Sequence, residues 1–443
     1  MDADVSDSAG PPGDSEGSTP DTGTSRAGED SDPGTSRAGD DSDTGPVPDG
    51  GHNRHWLRWT ALGASFLVLV AAGVGAWLYR KLDGNIRTDT SAAAELRVYE
   101  RERPATVVRN AENILLIGSD SRAGDNRAYG RDDGGSQRSD TTILLHLAAN
   151  RQSVTAMSLP RDLMVEIPAC HKADGTVTKK QFAQFNWAFE FGGTACAIRT
   201  VEKLTGIRID HQMVVDFNGF KDMVDAVGGV EVCLKKPVDD PDAHLKLPGG
   251  RQKLDGEQAL GYVRARKSIG NGSDTERMDR QQQFLGALVN KVQSNGVLLN
   301  PTRLYPVLDA ATKSLTTDPG LDSLKDLYDL VRGLRDVPTD RVQFLTVPRK
   351  PYTADPNRDE LVQPDADQLF ERLRADAPVA VVPADRTGGD DGKSADKGDK
   401  DARRGQGAAA RESNAATDTP DAAGPNPTPT YSGNNAAADP CER

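Results

Sequence analysis

Three short polar turns within fifty residues pair arginine with aspartate, each at the end of an apolar run. Gly118-Ser119-Asp120-Ser121-Arg122 follows Asn113–Ile117, Arg138-Ser139-Asp140 leads into Thr141–Leu147, and Pro160-Arg161-Asp162 leaves Val154–Leu159. A second group lies further along: Arg264 and Arg266, then Asp274, Arg277, Arg280 and Gln281. Arg277, Arg280 and Gln281 are spaced to share one helix face. Guanidinium forks match phosphate oxygens in pairs and do not lose their charge. Few acids stand among these later arginines, so they point to an anionic ligand. Two carboxylates beside such forks suit Mg²⁺, which takes one or two carboxylates together with water and substrate phosphates. The combination points to phosphoryl transfer from a pyrophosphate, carried by positioning and charge neutralisation. The chain has no Walker A loop, no GxSxG elbow and no HExxH pair, and its six histidines lack metal-ligand spacing.

Taken singly, each turn also fits a surface ion pair. They converge only if the apolar runs before and after them are neighbours in one sheet, at whose strand ends α/β folds hold their sites. Further strand-like segments are Met213–Val215, Val230–Leu234 and Val342–Val347. Helical spacing covers Phe182–Phe191 up to Gly192-Gly193, then Thr194–Leu204, Phe217–Val227, Gly256–Arg264, Thr275–Val292, Leu321–Leu334 and Asp367–Leu373. Strands alternating with helices predict one α/β domain over 105–384, a single mixed sheet covered by helices.

The flanks differ in composition. Residues 1–50 hold thirteen acidic and two basic residues, and Gly23–Pro33 is repeated at Gly34–Thr44. Such a segment buries too little apolar surface to offset its ordering entropy, so 1–55 reads as a disordered acidic tail, and 385–443 as a low-complexity one. These tails carry the acidity, so the net charge of −13 does not describe the domain's partner. Thr60–Leu78 is nineteen residues without a charge, flanked by Trp56, Trp59, Trp77 and Tyr79. It predicts a transmembrane helix over 56–80, with 81–104 a juxtamembrane stalk. Arginine and lysine are nearly balanced across the span and leave its orientation open. Cys170, Cys196, Cys233 and Cys441 have no zinc spacing. Cys170 and Cys196 could close a loop, worth about 3–4 kcal/mol by chain entropy, which would suit an oxidising, extracytoplasmic compartment.

Eight segments in order, among them NILLIGSDSR, RSDTTILLHL, SLPRDLMVEIP, FNWAFEFGG, LDGEQALGYVRAR and ERMDRQQQF, make the chain resemble the LytR-CpsA-Psr (LCP) family of cell-wall glycopolymer ligases. The arginine-rich composition is similar to that of actinobacterial proteins. The resemblance implies a phosphotransferase that moves a glycopolymer phosphate from a polyprenyl-pyrophosphate carrier to peptidoglycan. It implies Mg²⁺ held at Asp120 and Asp140, and pyrophosphate contacts at Arg138, Arg161, Arg264, Arg266, Arg277 and Gln281. Arg122 and Asp162 would give support, and Arg280 is a further candidate contact. It also implies a cytoplasmic N-terminus, an extracytoplasmic domain and a long apolar pocket for the prenyl chain. Phe182, Phe185 and Phe189 are candidate liners of that pocket, though a place in the core is the stronger reading for each. His211-Gln212 stands where the family often carries tyrosine.

Two other classes remain. A prenyl-pyrophosphate hydrolase would use the same cation and forks. A membrane-bound regulator of envelope genes would need a nucleic-acid-binding element, and the sequence has neither a helix-turn-helix pattern nor a basic stripe.

Overall fold

A computed structural model describes residues 53–119, 139–172, 174–265, 268–269, 274–294, 300–383, 429–439 and 441. Its helices are α1 (Asn53–Asp83), α2 (Thr90–Val98), α3 (Asn186–Thr205), α4 (Phe217–Ala226), α5 (Gly256–Arg264), α6 (Asp274–Ser294), α7 (Pro301–Ser314), α8 (Leu324–Arg335) and α9 (Asp365–Arg374). The chain separates into two units between Leu67 and Val68, inside α1. Helix α1 contains the one stretch among the described residues long and apolar enough to cross a bilayer, Trp56–Asp83, and none of its apolar window is buried against protein.

Residues 68–443 are built on a nine-stranded mixed sheet. Its spatial order is Arg87–Thr88, Leu315–Thr317, His211–Val215, Glu112–Ser119, Ser139–Leu147, Val154–Leu159, Val342–Thr346, Thr430–Asn435 and Ala380–Val382. Glu112–Ser119 pairs antiparallel with Ser139–Leu147, which pairs antiparallel with Val154–Leu159. The flanking strands His211–Val215 and Val342–Thr346 run parallel to Glu112–Ser119 and Val154–Leu159 respectively. Alternation sorts the side chains onto two faces. Leu115, Ile117, Leu144 and Met157 pack with Ile198 and Val201 of α3 and Leu369 and Leu373 of α9. Ile143, Ala156 and Phe344 face Leu285 and Val289 of α6 and Leu330 and Leu334 of α8. A third apolar cluster joins α4, α5 and α6 to two hairpins, Val230–Leu234 with Gly250–Leu254 and Val238–Asp240 with Leu245–Leu247.

The structure departs from the sequence reading in three places. Residues 81–104 are not a free stalk: Arg87–Thr88 joins the sheet edge, and Ala92 and Leu96 of α2 bury against the body. Arg103 there donates to both carboxylate oxygens of the buried Glu202 and to the Ile209 carbonyl. The reading of 385–443 as one low-complexity tail fails at its end, where Thr430–Asn435 lies inside the sheet with Tyr431 buried. Third, the predicted helix from Phe182 starts only at Asn186, because Gln181–Gln184 pairs as a strand with Met164–Ile167.

Cys170 and Cys196 form a disulfide with Cα atoms 5.6 Å apart. It crosses α3 where Gly192 and Gly193 leave helical geometry. A Cβ on Gly192 would come within 2.9 Å of the Cβ atoms of both cysteines, so this crossing needs glycine. Cys233 pairs with Cys441, and Arg251 on the same hairpin meets Asp439 at 2.9 Å.

Candidate active site

The register of the sheet brings the polar turns to one edge. Ser119 pairs with Ser139 where Glu112–Ser119 ends, Thr142 with Leu159 beside it, and Ser158 with Thr346 one strand further. Gly118 is level with Val215 on the other side. Asp140, Arg161, Asp162 and Phe217 therefore surround one stretch of strand ends. Asp120, Arg122, Arg138 and Arg266 lie outside the described residues.

Arg161 is the hub. Its Nη1 donates to Asp140 Oδ1 at 2.8 Å, and its Nε to Asp162 Oδ2 at 3.2 Å. Burial works against its charge, but Asp140, Asp162 and Asp274 outweigh it and raise the guanidinium above its ordinary value. The C-terminal group supplies the other wall. Arg277 is buried and meets Asp274 at 2.7 Å within the first turn of α6. Arg264, the last residue of α5, stacks over the Phe217 ring, 4.7 Å from its centroid.

Arg280 and Gln281 act differently from the sequence expectation. Arg280 is buried, donates from Nε to the Tyr262 carbonyl at 2.9 Å and also donates to the Ala265 carbonyl. Gln281 donates to the Val263 carbonyl at 3.1 Å and accepts from Thr141 Oγ1 at 3.4 Å. Both side chains thus satisfy carbonyls that the end of α5 leaves without intrahelical partners. They fix where Arg264 leaves the helix and tie that point to the strand carrying Asp140. Gln282, not singled out in the sequence, is buried and donates to Ser158 and Thr346 hydroxyls, seating α6 on two strand ends.

Sequence reasoning also missed a hairpin, Arg349–Tyr352 with Asp355–Leu361. Arg349 pairs with Asp359 and donates to Thr275, and Arg358 reaches Asp162 at 3.5 Å. Burial raises the Asp359 carboxyl above the usual range, against the pull of Arg349. These arginines lie well beyond the motif cluster that ends at Gln281, with no local spacing to mark them. Of the later arginines, Arg277 pairs with Asp274, and outside that group Arg161, Arg349 and Arg358 also meet carboxylates. Carboxylates hold the forks in place before any anion arrives.

Phe185 and Phe189 are core residues, 1% and 5% exposed. Phe182 is 54% exposed, because strand alternation turns it outward while Ala183 points in. Phe182 thus stands apart from the core cluster that holds Phe185 and Phe189.

Asp140 is 35% exposed at the sheet edge, and among the described residues no three His, Cys, Asp or Glu side chains gather as a metal site. Mg²⁺ needs only one or two carboxylates when phosphates complete its shell, so one hard donor such as Asp140 fits it.

An α/β sheet with an arginine–aspartate edge and, among the described residues, one helix apolar enough to cross a bilayer defines a class, and sequence comparison places it. The LytR_cpsA_psr family model matches residues 83–375, and the chain belongs to that family. The match begins at Asp83, so it includes the segment that the structure folds into the sheet. The chain is 40% identical over 239 residues to the probable cell wall biosynthesis protein LcpB of Corynebacterium glutamicum, covering 52% of this chain and 54% of that protein. It is 34% identical over 265 residues to the polyisoprenyl-teichoic acid–peptidoglycan teichoic acid transferase TagU of Enterococcus faecalis, covering 59% and 78%. The chain spans little more than half the length of its corynebacterial relatives, 54% for LcpB and 58% for LcpA. Among solved structures, protein gbs0355 of Streptococcus agalactiae shares the fold, with a TM-score of 0.50 at 23% identity over 60% of this chain and 88% of that one.

Proposed function

We propose that this protein is a membrane-anchored phosphotransferase that joins a glycopolymer, carried on a polyprenyl pyrophosphate, to peptidoglycan. The observation that carries the reading is the Arg161 hub, a partly buried fork held between Asp140 and Asp162, with Gln281 tying the end of α5, where Arg264 stands, to the strand that carries Asp140. Forks organised in this way suit the two phosphates of a pyrophosphate. Family membership and the TagU relative support the substrate class.

In the proposed reaction an acceptor hydroxyl attacks the phosphorus nearer the polymer. The new O–P bond forms as the bridging P–O bond to the prenyl phosphate breaks, and the hydroxyl proton leaves with the solvent. Arg161, Arg264 and Arg277 orient the phosphates and stabilise the charge that builds on the leaving prenyl phosphate. Asp140, with Asp120, would hold Mg²⁺, which when bound supplies further neutralisation of the pyrophosphate. Helix α1 would keep the site beside a lipid donor, and the two disulfides support an extracytoplasmic position for the domain, hence a cytoplasmic N-terminus.

The test is reconstitution. Full-length protein in nanodiscs, given polyprenyl-pyrophosphate-linked polymer and peptidoglycan strands, is expected to yield a polymer–glycan phosphodiester and prenyl monophosphate. Release of phosphorylated polymer into water, with no linked product, would instead make it a hydrolase.

A further inference from the structure

We infer that the outer face of two joined hairpins beside Asp162 is the seat of the acceptor glycan, an aromatic shelf on which a sugar strand lies. The inference deepens the proposed transferase reading and rests on it for the identity of the acceptor.

The shelf grows from the turn that carries Arg161. Beyond that turn, Met164–Ile167 pairs with Gln181–Gln184, and the Phe185 and Asn186 amides return to the Leu163 and Arg161 carbonyls at 2.8 and 3.0 Å. The second hairpin, Arg349–Leu361, joins the first edge to edge: the Asp359 amide donates to the Asp162 carbonyl at 3.1 Å, and Leu163 bridges to Asp359. Both hairpins are thus fixed to the backbone of the Arg161–Asp162 turn, so whatever they bind is held at a set distance from the phosphate forks.

Strand alternation places Phe182 and Gln184 on one face of the first hairpin. Phe182 is more than half exposed, and its ring lies 6.1 Å from that of Tyr352 on the second hairpin, the planes tilted by 58°. Arg358 crosses the seam between the hairpins. Its guanidinium lies against the Gln184 side-chain amide and reaches Asp162 at 3.5 Å, with a third of its side chain still open. A ring pair of the exposed Phe182 and the half-buried Tyr352 contributes little to a core that ends at Ala183 and Phe185. Two rings flanked by an arginine fork and an amide, next to a phosphoryl-transfer site, match the chemistry of a polysaccharide. The C–H faces of sugar rings pack on aromatic rings, while acetamido, hydroxyl and carboxylate groups take the polar donors.

The experiment measures binding directly, with full-length protein in nanodiscs and linear peptidoglycan glycan strands stripped of their stem peptides. Phe182→Ala and Tyr352→Ala are each expected to weaken strand binding by roughly tenfold, the scale of one lost aromatic contact, and the double variant further. Phe182→Tyr, which keeps a ring, is expected to hold wild-type affinity. Unchanged binding of undecaprenyl pyrophosphate in each variant shows that the fold and the donor site survive. Strand affinity that is the same in wild type and the double variant overturns the shelf. So does a wild type that binds free stem peptide but not stripped strands. If strand binding follows the rings but the wild type forms no linked product, the transferase reading falls and the shelf stands.

Discussion

Arg161 and Asp140 meet across two neighbouring strands at 2.8 Å, and the same guanidinium holds Asp162 at 3.2 Å. One cation therefore ties together the start of Ser139–Leu147 and the exit of Val154–Leu159. An arriving pyrophosphate would compete with both carboxylates for the fork, freeing Asp140 oxygens for a cation. Arg161→Lys keeps the charge but cannot bridge two partners in the same plane. We expect it to lower transfer about ten- to hundredfold, the loss of roughly 1.5–3 kcal/mol of charge-assisted contact. Wild-type kinetics in this variant would reduce Arg161 to an ordinary ion pair.

Asp140→Asn tests the cation separately. It removes a formal charge from a hard donor with little change in size. Transfer should fall, and raising Mg²⁺ should restore part of it, whereas a lost general base would not recover. EDTA should abolish wild-type transfer. Full activity in EDTA would remove Mg²⁺ from the reaction.

Arg103 and Glu202 show how firmly the segment after the membrane helix is held. Their side chains are 11% and 3% exposed, with Nη2 2.7 Å from Oε1. Burial works against the Arg103 charge, yet Glu202 raises it above its ordinary value. Glu202→Ala would leave the Arg103 cation with only the exposed Glu100 at 3.4 Å as counter-charge, at a cost of up to about 3–5 kcal/mol. For a domain of this size that lowers the melting temperature by roughly 6–15 °C. A shift below about 2 °C would mean that residues near 103 detach freely, as the sequence reading of 81–104 expected.

The sequence made the sheet centre and the edge legible, and for a physical reason. Asn113–Ile117, Thr141–Leu147 and Val154–Leu159 are strands buried on both faces, so their apolar runs stand out, and polar turns mark where they end. Gly256–Arg264 was readable as a helix because an Asp255–Gln258 capping box opens it. What stayed hidden depends on distant partners. Phe182–Phe191 carries aromatics at helical spacing, but pairing with Met164–Ile167 draws its first residues into a strand. Arg280 and Gln281 share a helix face with Arg277 as expected, yet only the placement of α5 turns them toward its carbonyls. Arg349, Arg358 and Asp359 have no local pattern at all.

His211 and Asp318 predict a pH dependence at the opposite end of the sheet. His211 Nδ1 lies 3.2 Å from Asp318 Oδ1. Burial disfavours the imidazolium, but Asp318, with Glu112 and Asp210, overcomes this and raises the His211 pKa. Burial likewise works against the Asp318 carboxylate, while His211 and the Gln212 and Gly320 amides lower its pKa. A raised histidine stabilises the fold below its unfolded pKa and loses that contribution as pH climbs through its folded value. A lowered aspartate contributes above its unfolded pKa and loses this as pH falls. The pair should therefore be fully stabilising between about pH 4 and pH 6.5 and weaken above. Asp318→Asn should flatten the fall in melting temperature between pH 6 and pH 8. An identical slope in wild type and variant would exclude the pair as its source.

The end of the chain supplies the last prediction. Thr430–Asn435 pairs antiparallel with Val342–Thr346 and parallel with Ala380–Val382. Without it, Ala380–Val382 loses its sheet partner, and Val342–Thr346, which carries the buried Phe344 and Leu345, becomes an open edge. The Cys233–Cys441 bond, with Arg251–Asp439 beside it, fastens this strand to the hairpin next to α4–α6. The bond closes a loop of 208 residues, which chain entropy values at about 5 kcal/mol, an upper figure for so long a loop. Cys441→Ser should thus lower the melting temperature by several degrees under oxidising conditions and by nothing after reduction. A chain ending at residue 428 should lose more than Cys441→Ser does and should aggregate through its new edge. Equal melting temperatures for the full chain and the truncated one, both soluble and unreduced, would show that the last strand is dispensable.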